Sequence, residues 1–192
     1  MSRVCKGTPW LLVVLCLIPA SAAAGMRFQE LAGHASIGYA RLFIPDAPGG
    51  SISMAAGLDY PVARTLRAGL DMGYDLLGSR TVPRGSLVAS VDYSAFELVA
   101  FLHWLPQRLG PVRRLSVGPA MLNAHGDLSV TGGGAGFSDL AVGETAAAAA
   151  AQITLMPERP APVKLGFELG GRLAFLPGED WKLFTARMTV YY

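Results

Sequence analysis

Residues 66–76, LRAGLDMGYDL, place Leu66, Ala68, Leu70, Met72, Tyr74 and Leu76 on one parity and Arg67, Gly69, Asp71, Gly73 and Asp75 on the other. Side chains alternate across a strand with a period of two, whereas a helix returns to the same face every 3.6 residues. A helix would gather Arg67, Asp71 and Asp75 into a polar stripe. It would also carry Gly69 and Gly73 in its interior, each costing about 1 kcal/mol relative to alanine. The segment reads as a strand with one apolar and one charged face, and the question is which face meets water.

The alternation recurs. Val163, Leu165, Phe167, Leu169, Leu173 and Phe175 oppose Lys164, Gly166, Glu168, Gly170 and Arg172. Phe96, Leu98, Ala100, Leu102 and Trp104 oppose Glu97, Val99, Phe101, His103 and Leu105. Ile52, Met54, Ala56, Leu58 and Tyr60 oppose Ser51, Ser53, Ala55, Gly57 and Asp59, and near the C-terminus Phe184, Ala186, Met188, Val190 and Tyr192 oppose Thr185, Arg187, Thr189 and Tyr191. Strand is the economical reading of each. A looser strand begins at Ile37, and one in RRLSVGPAML contains Pro119, whose missing N–H predicts a bulge or irregularity. Residues 140–156 are ambiguous. Six consecutive alanines from Ala146 favour a helix on propensity, while small side chains between two turn signals suit a strand in a crowded interior.

Counting that segment gives eight strands, and their connections are of two kinds. PVART after Tyr60, PQRLGP after Leu105 and PERPAP after Met156 are short and contain proline and arginine. The alternate connections are PDAPGG after Ile44, a long stretch over residues 78–95, a glycine-rich stretch over residues 125–139, and PGED after Leu176. Tight turns at one end with longer loops at the other mark a transmembrane β-barrel.

The N-terminus fits that destination. Arg3 and Lys6 precede the apolar run PWLLVVLCLIPA and the small-residue run SAAAG, the three-part layout of a secretory signal peptide. Residues 1–24 are expected to be removed near Ala24, leaving residues 25–192 as one domain. Both cysteines, Cys5 and Cys16, would leave with the signal, so no disulfide framework or thiolate metal site remains. The 16 Lys and Arg would lose Arg3 and Lys6 and balance the 14 Asp and Glu. A neutral chain offers nucleic acid no basic footprint. Only 16% of the residues are charged, against about 25% in soluble domains; part of that difference belongs to the signal peptide, and the rest needs another explanation.

With its signal peptide, amphipathic strands of about ten residues and a last strand ending MTVYY, the chain resembles the small eight-stranded bacterial outer-membrane barrels, the OmpA/OmpX-type membrane domain and its relatives. The resemblance covers residues 27–192. It implies an all-β, eight-stranded antiparallel up-and-down barrel, with the apolar faces on lipid and the charged faces in the lumen. It further implies a monomer among outer-membrane lipid and lipopolysaccharide, assembled by the barrel-assembly machinery through the C-terminal strand. Aromatic girdles are expected at Tyr60, Trp104 and Tyr192 on the short-turn side and at Tyr74, Phe96, Phe175 and Trp181 on the other. A secreted β-sandwich is the competing fold.

The inward set on this reading comprises Arg67, Asp71, Glu97, Arg114, Glu144, Lys164, Glu168, Arg172 and Arg187. Eight strands leave an interior just filled by side chains, so these groups should interlock as ion pairs, Glu168 with Lys164, Arg172 or Arg187. Catalytic signals are weak. HAS at residues 34–36 is superficially similar to the His-x-Ser element of outer-membrane lipid A deacylases, but it sits at the wrong end of the chain without a carboxylate partner. His103 shares the inward face of Glu97 and reads as a packed lumen residue. His125 with Asp127 is too small a set for a metal, and GGGAG at 132–136 lacks the lysine of a phosphate loop. The expectation is a non-enzymatic barrel that presents loops, needing neither metal nor cofactor. A narrow pore and a lipid A-modifying enzyme are the alternatives.

Overall fold

The computed structural model describes residues 30–43, 49–132, 137–157, 163–175 and 180–192. The expected signal peptide, its cleavage point and both cysteines lie outside the described residues, as do parts of PDAPGG, TGGGAGFSD, PERPAP and PGED. Eight strands follow in order: β1 (Ala32–Phe43), β2 (Ser51–Ala63), β3 (Leu66–Arg84), β4 (Leu87–Trp104), β5 (Val112–Gly132), β6 (Phe137–Leu155), β7 (Lys164–Phe175) and β8 (Asp180–Tyr191). Each pairs antiparallel with the next, and β1 closes on β8 from His34↔Tyr191 to Phe43↔Lys182. The ring leaves no open edge, so every strand within it has a partner on both sides.

The period-two pattern sorts residues between the two faces in an inverted sense. Arg187, Glu97, His34 and Asp59 are among the most buried side chains. Every strand turns a large apolar residue outward: Ile37, Met54, Leu70, Leu102, Val117, Ile153, Leu165 and Met188 are all exposed. A sandwich would bury that apolar set. Here the polar set is enclosed, so the apolar face of residues 66–76 is the outer surface of the barrel and suits lipid. Residues 146–151 belong to β6, with Ala146, Ala148 and Ala150 buried and the intervening alanines exposed. Pairing of β5 to β4 lapses opposite Gly118 and Pro119, while pairing to β6 runs on through both.

The two long connections are not loops. Residues 78–95 continue β3 and β4 into a hairpin that pairs as far as Arg84↔Leu87, turning through Gly85, whose φ is +64°, and Ser86. Residues 125–139 likewise extend β5 and β6, which pair out to Val130↔Phe137. β3 to β6 therefore run 18 to 21 residues against 12 or 13 for the other four. Beyond the apolar belt both faces of the sheet meet water. Ser79, Thr81, Ser90, Asp92 and Ser94 then show no apolar alternation, although the backbone goes on pairing. Register shifts at Leu76/Gly78 and Leu128/Ser129 lie along this extension.

At the short-turn end Trp104 and Tyr192 are exposed and Tyr60 is half-buried; at the other end Tyr74, Phe96 and Phe175 are exposed. Trp181 departs from the expected girdle. It shares the inward parity of Leu183 and meets Tyr93 edge-on, with ring centroids 6.4 Å apart. Both rings pack on a buried apolar layer that includes Leu42, Leu77, Phe101, Leu122 and Leu183.

Candidate functional site

The polar lumen is the candidate site, and it consists of two clusters. In the first, Glu97 on β4 lies between two arginines from the far wall. Arg172 Nε on β7 donates to Glu97 Oε2 at 2.8 Å and its Nη2 to Oε1 at 3.3 Å. Arg187 Nη2 on β8 donates to the same Oε1 at 2.9 Å and to Asp75 Oδ1 on β3 at 3.2 Å. Ser53 on β2 accepts from Arg187 Nε and donates to Asp75 Oδ1, both at 2.5 Å. Two carboxylates and two guanidiniums thus balance. The guanidinium of Arg172 also lies 5.4 Å from the centre of the Phe101 ring.

The second cluster lies nearer the short turns. Asp59 on β2 pairs with Arg67 on β3 and, at 3.4 Å, with Arg114 on β5. Arg114 rests over the Tyr191 ring at 4.8 Å. The Tyr191 hydroxyl donates to Glu168 Oε1 on β7 at 2.6 Å, with Thr154 Oγ1 3.4 Å away. His34 Nε2 meets Asp71 Oδ2 at 3.2 Å, and His103 Nδ1 meets Ser116 Oγ at 2.8 Å. Leaving one buried charge without its partner costs about 3–5 kcal/mol, a large share of a domain's stability, which is why these groups interlock.

Glycine makes the room. A Cβ at Gly73 would lie 2.6 Å from Glu97 Cγ, one at Gly69 2.2 Å from His103 Nε2, and one at Gly57 2.1 Å from Asp71 Oδ1. The glycines on the charged face of residues 66–76 are thus slots into which neighbouring strands insert their long side chains.

Of the nine residues placed inward from the sequence, Arg67, Asp71, Glu97, Arg114, Glu168, Arg172 and Arg187 lie in these two clusters. Glu144 and Lys164 do not. Each keeps the inward parity of its strand, but Lys164 is the first residue of β7 and Glu144 lies in the outer part of β6, and both are exposed. Glu168 is also partnered differently from the expectation: Tyr191 binds it, and Arg172 spans the lumen to Glu97. Asp59, Asp75, Ser53, His34 and Tyr191 were missing from the inward set, although each occupies the polar parity of its strand.

Among the described residues the lumen holds no serine, histidine and carboxylate in mutual contact. Contrary to the sequence expectation, His34 does have a carboxylate partner, Asp71, brought to it from β3 by the closed sheet; Ser36 Oγ instead donates to the backbone carbonyl of Ala55 at 3.5 Å, so the HAS residues do not engage each other. His103 and Ser116 touch, yet no carboxylate contacts that imidazole among the described residues. His125 and Asp127 pair at 3.3 Å on the exposed extension. Among the described residues no group of three potential metal ligands occurs.

No protein-family model matches the chain, and no curated protein matches it in sequence. Solved structures do. The chain is similar to Ail, the attachment invasion locus protein of Yersinia pestis, in a crystal complex with the heparin analogue sucrose octasulfate. The two are 14% identical over 85% of this chain and 99% of Ail, with a TM-score of 0.55. Neisserial surface protein A is similar at 14% identity over 84% of this chain and 96% of its own, with a TM-score of 0.53. The fold is that of the small eight-stranded outer-membrane barrels. Within that fold, this barrel's lumen is packed with paired charge and its four central strands project past the rim.

Proposed function

We propose that residues 25–192, freed of a signal peptide at 1–24, form a monomeric outer-membrane barrel that performs no chemistry. It anchors in lipid and presents the β3–β6 extension outside the cell, for envelope integrity or surface contact. One observation carries this reading: a lumen filled by charged side chains that each meet at least one polar partner, in a barrel that turns a large apolar residue outward on every strand. Such an interior leaves little for a solute to displace or a substrate to reach. The short turns then face the periplasm and the long hairpins the exterior. The terminal strand, ending in Tyr191 and Tyr192, is the segment offered to the barrel-assembly machinery.

Three assays on cells and purified protein test this. The chain should fractionate with the outer membrane, stay silent in planar bilayers, and leave the mass of lipid A unchanged. Recovery as a soluble periplasmic protein would refute the barrel. Steady conductance would establish a pore, and loss or transfer of an acyl chain would establish an enzyme. Either would overturn the proposal.

A further inference from the structure

At the long-hairpin end of the outer wall two cations stand side by side. Arg41 near the end of β1 and Lys182 near the start of β8 both lie at the long-hairpin end and are exposed. Arg41 shares the outward parity of Ile37, Tyr39 and Phe43, and Lys182 that of Phe184 and Met188. The register pairs Arg41 with Phe184 and Phe43 with Lys182, so the two cations are diagonal neighbours, about 7–8 Å apart at the backbone. Among the described residues nothing comparable occurs elsewhere on this rim. The corresponding outward positions of the other six strands are Ile52, Tyr74, Phe96, Asn123, Thr145 and Phe175, all uncharged.

Two like charges set side by side repel unless an anion lies between them. Each arginine of the lumen clusters is ion-paired, whereas neither Arg41 nor Lys182 forms an ion pair among the described residues. Among the described residues, Asp180, exposed two residues before Lys182, supplies one carboxylate against two cations. The Arg41 guanidinium lies over the Phe43 ring, 5.2 Å from its centre, which holds the cation against the wall. Tyr39, Phe43 and Phe184 around it mark the aromatic level at which lipid headgroups meet acyl chains.

We infer that Arg41 and Lys182 form a binding site for the phosphate of a phosphorylated glycolipid in the outer leaflet, whose acyl chains lie along the Ile37 and Met188 side of the barrel. This rests on the proposed membrane orientation, which puts the long-hairpin end at the glycolipid leaflet. The two cations grip the phosphate from both sides, and the aromatic residues flank the first methylenes. The site is a fixed one on the β1–β8 seam rather than a general attraction to membrane charge.

Native mass spectrometry of the folded protein titrated with bis-phosphorylated lipid A, dephosphorylated lipid A and phosphatidylglycerol tests the site. Wild type should retain bis-phosphorylated lipid A. The R41Q/K182Q double variant should retain it about thirtyfold less, from roughly fivefold per cation near an anionic lipid surface. Each single variant should fall near fivefold, and dephosphorylated lipid A should bind wild type no better than the double variant binds the phosphorylated form. Substituting Arg64, exposed at the short turn between β2 and β3, should change nothing. Equal retention by wild type and variants of folded gel mobility would overturn the site, as would equal retention of phosphatidylglycerol and lipid A by wild type. Failure of wild type to reach the outer membrane would instead overturn the function on which the site rests.

Discussion

Replacing Glu97 with alanine should be the most damaging single change to the lumen. The side chain is 2% exposed and accepts three hydrogen bonds from two guanidiniums. Without it Arg187 keeps Asp75 and Ser53, but Arg172 keeps only the carbonyl of its neighbour Gly171, at 3.2 Å, and the face of Phe101. One buried cation is then uncompensated, and removing one partner of a buried pair costs about 3–5 kcal/mol. Glu97→Gln retains the shape and one acceptor oxygen, so its cost should be nearer 1.5–3 kcal/mol, the range for a hydrogen bond to a charged group. The Glu97→Leu/Arg172→Met pair removes both charges and should cost less than Glu97→Ala alone. Urea unfolding in detergent micelles, followed by the heat-modifiable gel shift, gives all three values. A Glu97→Ala barrel within about 0.5 kcal/mol of wild type, the scatter of ordinary surface substitutions, would refute the assignment of Glu97 as the anion shared by the two arginines.

Tyr191→Phe keeps the ring under Arg114 and deletes only the hydroxyl that donates to Glu168; it should lower unfolding stability by about 1.5–3 kcal/mol, and an unchanged midpoint would mean that the contact contributes nothing. Gly69→Ala drives a methyl into His103 and should cost about 1–3 kcal/mol as overpacking. Adding His103→Ala should recover part of that loss in the same unfolding assay, and a strictly additive double variant would deny the slot. Trypsin on intact cells should cut at the hairpin tip after Arg84, while Arg108 in the turn between β4 and β5 should become accessible only once the outer membrane is opened. The reverse cleavage pattern on gels would invert the orientation.

The strands were legible because lipid outside and charge inside impose a sharp alternation. That signal fades where the constraint ends. Residues 78–95 read as a loop since Ser79, Thr81, Ser90 and Asp92 have water on both sides, and pairing there rests on the backbone rather than on a buried face. The partners of the lumen charges were harder to read. Neighbours on one strand, Lys164 and Arg172, looked like the natural counterions of Glu168. The closed ring brings Glu97 and Arg172 together from strands 75 residues apart in sequence, and Arg187 and Glu97 across 90. Parity identifies what points inward, but which opposite wall it reaches depends on how the sheet closes. Trp181 shows the same limit, since its aromatic character suggested a girdle while its parity turned it onto Tyr93.

Closure has a consequence in time as well as in space. The seam joins Ala35 to Val190 and Ser36 to Thr189, near the extremes of the folded sequence. No other strand can substitute for that pairing, and until it forms two rows of amide and carbonyl groups have no place in hydrocarbon. Contacts so distant along the chain are slow to find. Until the last strand meets the first, the sheet is apolar on one side and unpaired at both edges, so the order in which the strands find one another decides how long those edges stay open.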